Sequence, residues 1–127
     1  MRAAKALAAR VAAYILLGWL GEYLHNLVDL PQLTVLSPEN SGPALVALAL
    51  FLAWWRWPSS RWTAGALLVW GGLNLAGGGI LTIIPFSFLP FYPAQTPLHY
   101  AMHVVYAGAQ VPLMRAMWQQ LRRSNAG

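Results

Sequence analysis

The chain has 127 residues, of which 58% are hydrophobic and only 9% charged, with a formal net charge of +5. A water-soluble domain carries about a quarter charged residues, so this composition excludes an ordinary soluble surface and asks for lipid. It also contains no cysteine, which excludes disulfides, thiolate metal sites, iron–sulfur clusters and a Cys nucleophile.

The basic cluster Arg2/Lys5/Arg10 precedes an apolar run from Val11 to Leu20. A cleaved signal peptide would continue into small residues at alternating positions, which Gly21, Glu22, Tyr23, Leu24 and His25 do not supply. The segment therefore reads as a retained first span over residues 11–30, ended by Pro31. Residues 31–42 follow as a loop with Pro38, Asn40, Ser41 and Gly42 as turn residues. The second span covers 43–57, opens at Ser41 or Gly42, and stops at Pro58-Ser59-Ser60. Its length of about 22 Å is short against about 30 Å of hydrocarbon. It contributes nothing polar and reads as peripheral scaffold.

The third span covers 62–84 and ends at Pro85. Its run Gly77-Gly78-Gly79 weakens a helix and allows a kink or a close ligand approach. The loop from Ile84 to Pro97 carries four Pro, three Phe and one Tyr and no charge. It reads as an interfacial segment or a lid, with Tyr92 and Gln95 as its only long polar side chains. The fourth span covers 97–118, with Thr96 as N-cap and Pro97 in the first helical position.

All eight Lys and Arg fall into three clusters, Arg2/Lys5/Arg10, Arg56/Arg61 and Arg115/Arg122/Arg123, with every acid and histidine between them. Short basic segments stay cytoplasmic while uncharged loops are translocated. The expected fold is an all-α integral membrane protein: four transmembrane helices in a compact bundle, N-in and C-in, one domain over 1–127, in a bacterial inner membrane. Trp54, Trp55, Trp57, Trp62 and Trp118 are expected at the cytoplasmic interface, and the basic clusters against anionic lipid headgroups. Nucleic acid is not an expected partner, because the bases flank the spans instead of forming one stripe. A protomer this small is expected as a homo-oligomer or a subunit of a membrane complex.

Ionisable residues inside a span are costly and face protein or water, so they mark function. In the first span Glu22, His25, Asn26 and Asp29 share one helical stripe; in the fourth, His99, His103, Tyr106 and Gln110 do. Asn74 joins from the third. Counted at 1.5 Å per residue, the three helices present these groups at matched depths below the outer surface. A shared outward-facing pocket is expected, with Glu22, Asn26, Asp29, Asn74, Tyr92, Tyr106 and Gln110 as ligand-binding candidates. Glu22, His25, His99 and His103 are the metal-ligand candidates.

Two or three imidazoles plus a carboxylate suit Zn, Cu or Fe, with Asp29 or Tyr106 supporting the ligands. Haem b between His25 and His99 or His103 is a second reading. A proton or small-solute path through Glu22, His103 and Gln110 is a third. The same groups could instead only fix helix register through interhelical hydrogen bonds. No G-x-S-x-G elbow, P-loop, H-E-x-x-H or G-x-G-x-x-G motif occurs, which disfavours a Ser hydrolase and a nucleotide site. The expected function is therefore binding or conduction of a metal cation, a proton or a small polar solute. A membrane-embedded enzyme using Glu22 and His103, or an accessory subunit, is the alternative.

Overall fold

Four helices, and no strand among the described residues, build the chain: α1 (Arg2–Asp29), α2 (Pro38–Arg56), α3 (Arg61–Leu73) and α4 (Pro97–Ser124). The computed structural model describes residues 2–88 and 93–124. A π-helical turn, Asn74–Gly78, continues α3, and a short 3₁₀ turn, Leu81–Ile83, follows it.

Pro31 ends α1, whose last carbonyls are closed by Leu30 N–H donating to Asn26 O at 2.8 Å. The second helix starts earlier than its apolar run suggests. Ser37 in extended geometry is its N-cap, and Pro38 occupies the first helical position, where a missing N–H costs nothing. Glu39 in the first turn and Arg56 in the last match the helix dipole. Asn40, expected in a loop, thus sits inside α2 and is 1% exposed. The expectation that the second helix contributes nothing polar is corrected by this residue.

The third span is not one regular helix. After Leu73 the chain widens into the π turn, where Gly79 N–H reaches back to Asn74 O at 2.9 Å. Three consecutive glycines make the regular helix costly here, and their missing side chains let α4 come close. A Cβ on Gly79 would stand 2.8 Å from the Ala107 Cβ, and one on Gly78 would enter the Tyr106 ring. A π turn commonly re-aims side chains beside a functional site.

α1 and α4 pack antiparallel along most of their length, so His25 lies opposite His103 and Gly18 opposite Gln110. α3 and the π turn cover α4, and α2 packs on α1 and α3. The interior divides in two along this axis. Toward the basic clusters it is apolar: Val11, Trp54, Ala64, Leu67, Leu113 and Met117 form one buried cluster. Trp54, expected at the interface, belongs to that cluster at 1% exposure, and its indole N–H donates to Gln120 Oε1 at 3.0 Å. Trp55, Trp57, Trp62 and Trp118 remain exposed.

Two segments, Ala4–Asp29 and Arg61–Ile83, are long and apolar enough to cross a membrane. α2 and α4, also expected as spans, do not pass that measure. α2 has 19 residues and opens on Glu39, Asn40 and Ser41, while α4 carries two histidines, three glutamines and three arginines. The first half of α4 is nonetheless inside out: it buries His99, His103, Tyr106 and Gln110 and exposes Leu98, Val104, Val105 and Val111, whereas the second half buries Leu113 and Met117 and exposes Arg115 and Arg122.

Candidate metal centre

Helical periodicity places His25 and Asp29 on one face of α1, and His99 and His103 one turn apart on α4. Antiparallel packing then brings the two pairs together. One ligand atom from each of the four residues lies within 4.8 Å of all the others. His103 Nε2 stands 3.1 Å from His25 Nε2 and 2.9 Å from His99 Nε2. Asp29 Oδ2 is 2.5 Å from His99 Nδ1 and 3.1 Å from His25 Nε2.

The surrounding hydrogen bonds decide where His25 carries its proton. Asn40 Nδ2 donates to the backbone carbonyl of Thr34 at 2.8 Å, an atom that can only accept. That orients the Asn40 amide, so its Oδ1 accepts from Asn26 Nδ2 at 2.8 Å. Asn26 must then turn its Oδ1 to His25 Nδ1, 3.1 Å away, which places the proton on that nitrogen. Trp19 pins the far end of the relay by donating to the Asn40 carbonyl at 2.9 Å.

His99 Nδ1 stands beside Asp29 Oδ2 but off the N–H direction, and His103 Nδ1 is buried with no hydrogen-bond partner among the described residues. His25 turns its Nδ1 proton to Asn26, while its Nε2 and that of His99 both face His103 Nε2. Two such contacts on one nitrogen at about 3 Å are relieved together by a cation lying between the rings. Ligand nitrogens at about 2.0–2.1 Å from a tetrahedral metal ion stand roughly 3.3 Å apart, close to the observed separations.

A cavity of about 660 Å³ opens beside the cluster. Glu22, Asn26, Asp29, His25, His99, His103 and Tyr106 give it a polar wall, and Val28, Leu30, Pro93 and Leu98 an apolar one. Its floor is the π turn: Tyr106 donates its hydroxyl to Asn74 Oδ1 at 2.9 Å, with Gly78 against the ring. Asn74 Nδ2 in turn bonds the Trp70 carbonyl at 2.8 Å. Below that level Gln110 donates to the Gly18 carbonyl at 3.0 Å, and a Cβ on Gly21 would meet the Ala109 Cβ.

Six expected site residues thus stand around one cavity: Glu22, His25, Asn26, Asp29, His99 and His103, with Tyr106 at its base. Asn74 acts from behind Tyr106, and Gln110 lies a turn deeper, holding α4 to α1. Glu22, expected among the metal ligands, stands apart from the four-residue group, one helical turn below His25; Asp29 occupies that place. Tyr92 lies outside the described residues. Gln95 bonds the Ile83 and Pro93 carbonyls and the Tyr100 hydroxyl, so it braces the loop. Pro93, Ala94 and Thr96 line the cavity mouth instead.

Asn40 reads from the sequence as a turn residue and not as part of the site. The signal for it was Ser37-Pro38, an N-cap followed by Pro, which carries α2 back over Asn40. No family model, curated protein or solved structure matches the chain.

Proposed function

We propose that this chain is a multi-pass membrane protein that holds a transition metal ion on His25, His99 and His103, in a cavity open to the extracytoplasmic side. The observation that carries the metal reading is the convergence of one ligand atom each from His25, Asp29, His99 and His103 within 4.8 Å of one another. A shared proton resolves one short N–N contact, whereas His103 Nε2 takes part in two. A metal ion resolves both. Three nitrogens with a carboxylate alongside suit zinc, with copper and iron as the other members of that ligand class.

Haem b fits poorly. Two axial imidazoles on one iron need their nitrogens about 4 Å apart across the ring plane, and a third ring crowds the gap here. Conduction also fits poorly, because the cavity ends at Tyr106 and the apolar cluster from Leu113 to Val11 lies below it. The ion is a resident of a blind pocket.

The membrane reading rests on the first half of α4, which buries its polar stripe and exposes an apolar one. That inverts the pattern of a soluble helix and matches a helix facing lipid. Together with the three basic clusters it supports a reading of four spans with both termini inside, in a bacterial inner membrane, the basic ends against anionic headgroups. The exposed apolar faces of α2 and α4 are covered by lipid, by further copies of the chain or by another subunit.

Protein purified without chelator should carry up to about one transition metal ion per chain by elemental analysis. His25→Ala and His103→Ala should each remove it while the helical circular dichroism persists. Wild-type protein that is metal-free, and that takes up no zinc on titration, would refute the metal reading. Reporter fusions after Gly127 and within Pro58–Arg61 should read cytoplasmic, and one near Glu39 external. A cytoplasmic signal at Glu39 would refute the topology.

A further inference from the structure

A second cavity, of about 460 Å³, lies at the opposite end of the bundle, between the start of α1, the end of α4 and the Pro58-Ser59 turn. Counted along α1, Arg10 in its wall is about 22 Å of helix rise from His25. Leu7, Arg10, Val11 and Tyr14 line it from α1 at spacings 0, 3, 4 and 7, which is one helical face. Ala116, Gln120 and Arg123 line it from α4 at spacings 0, 4 and 7.

Hydrogen bonds hold this wall in place. Gln120 accepts from the Trp54 indole N–H at 3.0 Å and donates to the Pro58 carbonyl, tying α4 to the turn between α2 and α3. The Ser124 hydroxyl closes onto the Gln120 carbonyl at 3.1 Å. The charges of the cavity are left unbalanced. Among the described residues the ion pairs are those of Asp29 with His25 and His99, so neither Arg10 nor Arg123 has an acidic partner. The nearest acid along α1 is Glu22, about 18 Å of helix rise from Arg10. Two guanidinium groups on one cavity with no counter-charge repel each other, and an anion between them removes that cost. Paired guanidinium N–H donors match the oxygens of a phosphate.

The depth of Tyr14 favours a lipid phosphate over a free one. The register sets Gly18 opposite Gln110 and His25 opposite His103. Extended along the pair, it puts Arg123 at the entrance, Arg10 about 7 to 8 Å deeper and Tyr14 about 6 Å deeper again. Two side chains as long as arginine close the first gap around one phosphate, but the phenol lies beyond it. In a phospholipid the acyl ester carbonyls stand on the apolar side of the phosphate, where a phenol can donate to them. Val11 and Ala116 line that deeper level with apolar surface.

We propose, on the membrane reading above and independently of the metal, that this cavity binds one anionic phospholipid of the cytoplasmic leaflet. Its phosphate lies between Arg10 and Arg123, and Tyr14 donates to an acyl ester carbonyl below it. General attraction of headgroups is shared among all eight bases, whereas this site holds a single lipid on two of them.

The test titrates the full chain in non-ionic detergent with dioleoylphosphatidylglycerol, dioleoylphosphatidylcholine and inorganic phosphate, read by native mass spectrometry. About 0.15 M ammonium acetate screens exposed charges beyond about 8 Å. One phosphatidylglycerol per chain should be retained, about tenfold more tightly than phosphatidylcholine. Arg10→Gln and Arg123→Gln, both at exposed positions, should each weaken it about tenfold, and Tyr14→Phe about threefold to fivefold. Lys5→Gln and Arg61→Gln, which do not line the cavity, should each change it by less than about twofold. Equal losses in all four charge variants would overturn the site and leave only general headgroup attraction. Displacement of the lipid by millimolar inorganic phosphate, with Tyr14→Phe neutral, would overturn the lipid in favour of free phosphate. Equal retention of the two lipids, or retention of neither, would overturn the anionic site, while reporter fusions and zinc content separately decide the membrane and metal readings.

Discussion

His25 Nε2 and His103 Nε2 face each other at 3.1 Å across the α1–α4 interface. The Nδ1 of His25 is committed to Asn26, and that of His103 is buried without a partner among the described residues. An interhelical contact built only to fix register would pair one donor with one acceptor. Here His103 Nε2 meets a second imidazole nitrogen as well, His99 Nε2 at 2.9 Å.

Asp29 tests how the ligands are oriented. Asp29→Asn keeps the shape but can present an amide N–H to His99 Nδ1, where a carboxylate oxygen now stands. Zinc affinity should fall by about 10–100-fold, measured by competition with a chelating dye. An affinity within threefold of wild type would show that Asp29 does not set the His99 tautomer.

The amide relay tests the same idea from the other side. Asn40→Leu removes both ends of the chain from the Thr34 carbonyl to His25 and leaves Asn26 free to rotate. Zinc affinity should drop by about tenfold although Asn40 touches no ligand atom. Asn40→Leu also strands the Asn26 amide, so melting temperature must be read beside affinity. A fall in melting temperature with unchanged zinc affinity would reduce Asn40 to a packing role.

The glycines separate into two groups. Gly79→Ala should destabilise strongly, because its Cβ would press on Ala107 and on the Leu75 carbonyl at 2.6 Å. Overpacking of this kind typically costs about 1–3 kcal/mol. Gly108→Leu should be nearly neutral, since nothing lies within 4 Å of its added Cβ. Sequence alone suggests the opposite for Gly108, because a glycine inside a span usually marks close helix packing. Thermal melts in detergent would check both, and equal losses would contradict the packing described.

Tyr106→Phe removes one hydrogen bond, to Asn74, and leaves the ring against Gly78. The loss should be about 0.6 kcal/mol, the usual worth of one interhelical bond in a membrane protein. Zinc stoichiometry should not change. Loss of zinc in this variant would mean that the π turn, through Gly78 and His103, holds the centre more tightly than its contacts suggest.

Sequence by itself determined that the chain is helical, where α1 and α2 end, and which residues share a stripe. Pro31 and Pro58 follow those helix ends for local reasons, and 3.6 residues per turn places Glu22, His25, Asn26 and Asp29 together before any partner is known. The opposite directions of α1 and α4 followed from charge, and with them the matched depths of His25 and His103. Tertiary structure decided what a stripe cannot. The choice of Asp29 over Glu22 depends on which carboxylate reaches the facing helix, a matter of one turn in register. The protonation of His25 depends on an amide relay that crosses from α1 to α2 and ends on a loop carbonyl. The opening of the third helix into a π turn reflects the close approach of Ala107 and Tyr106 to glycines that otherwise only lower helix propensity. Periodicity is a property of one helix and its backbone hydrogen bonds, whereas a ligand set is a property of rotamers meeting across three.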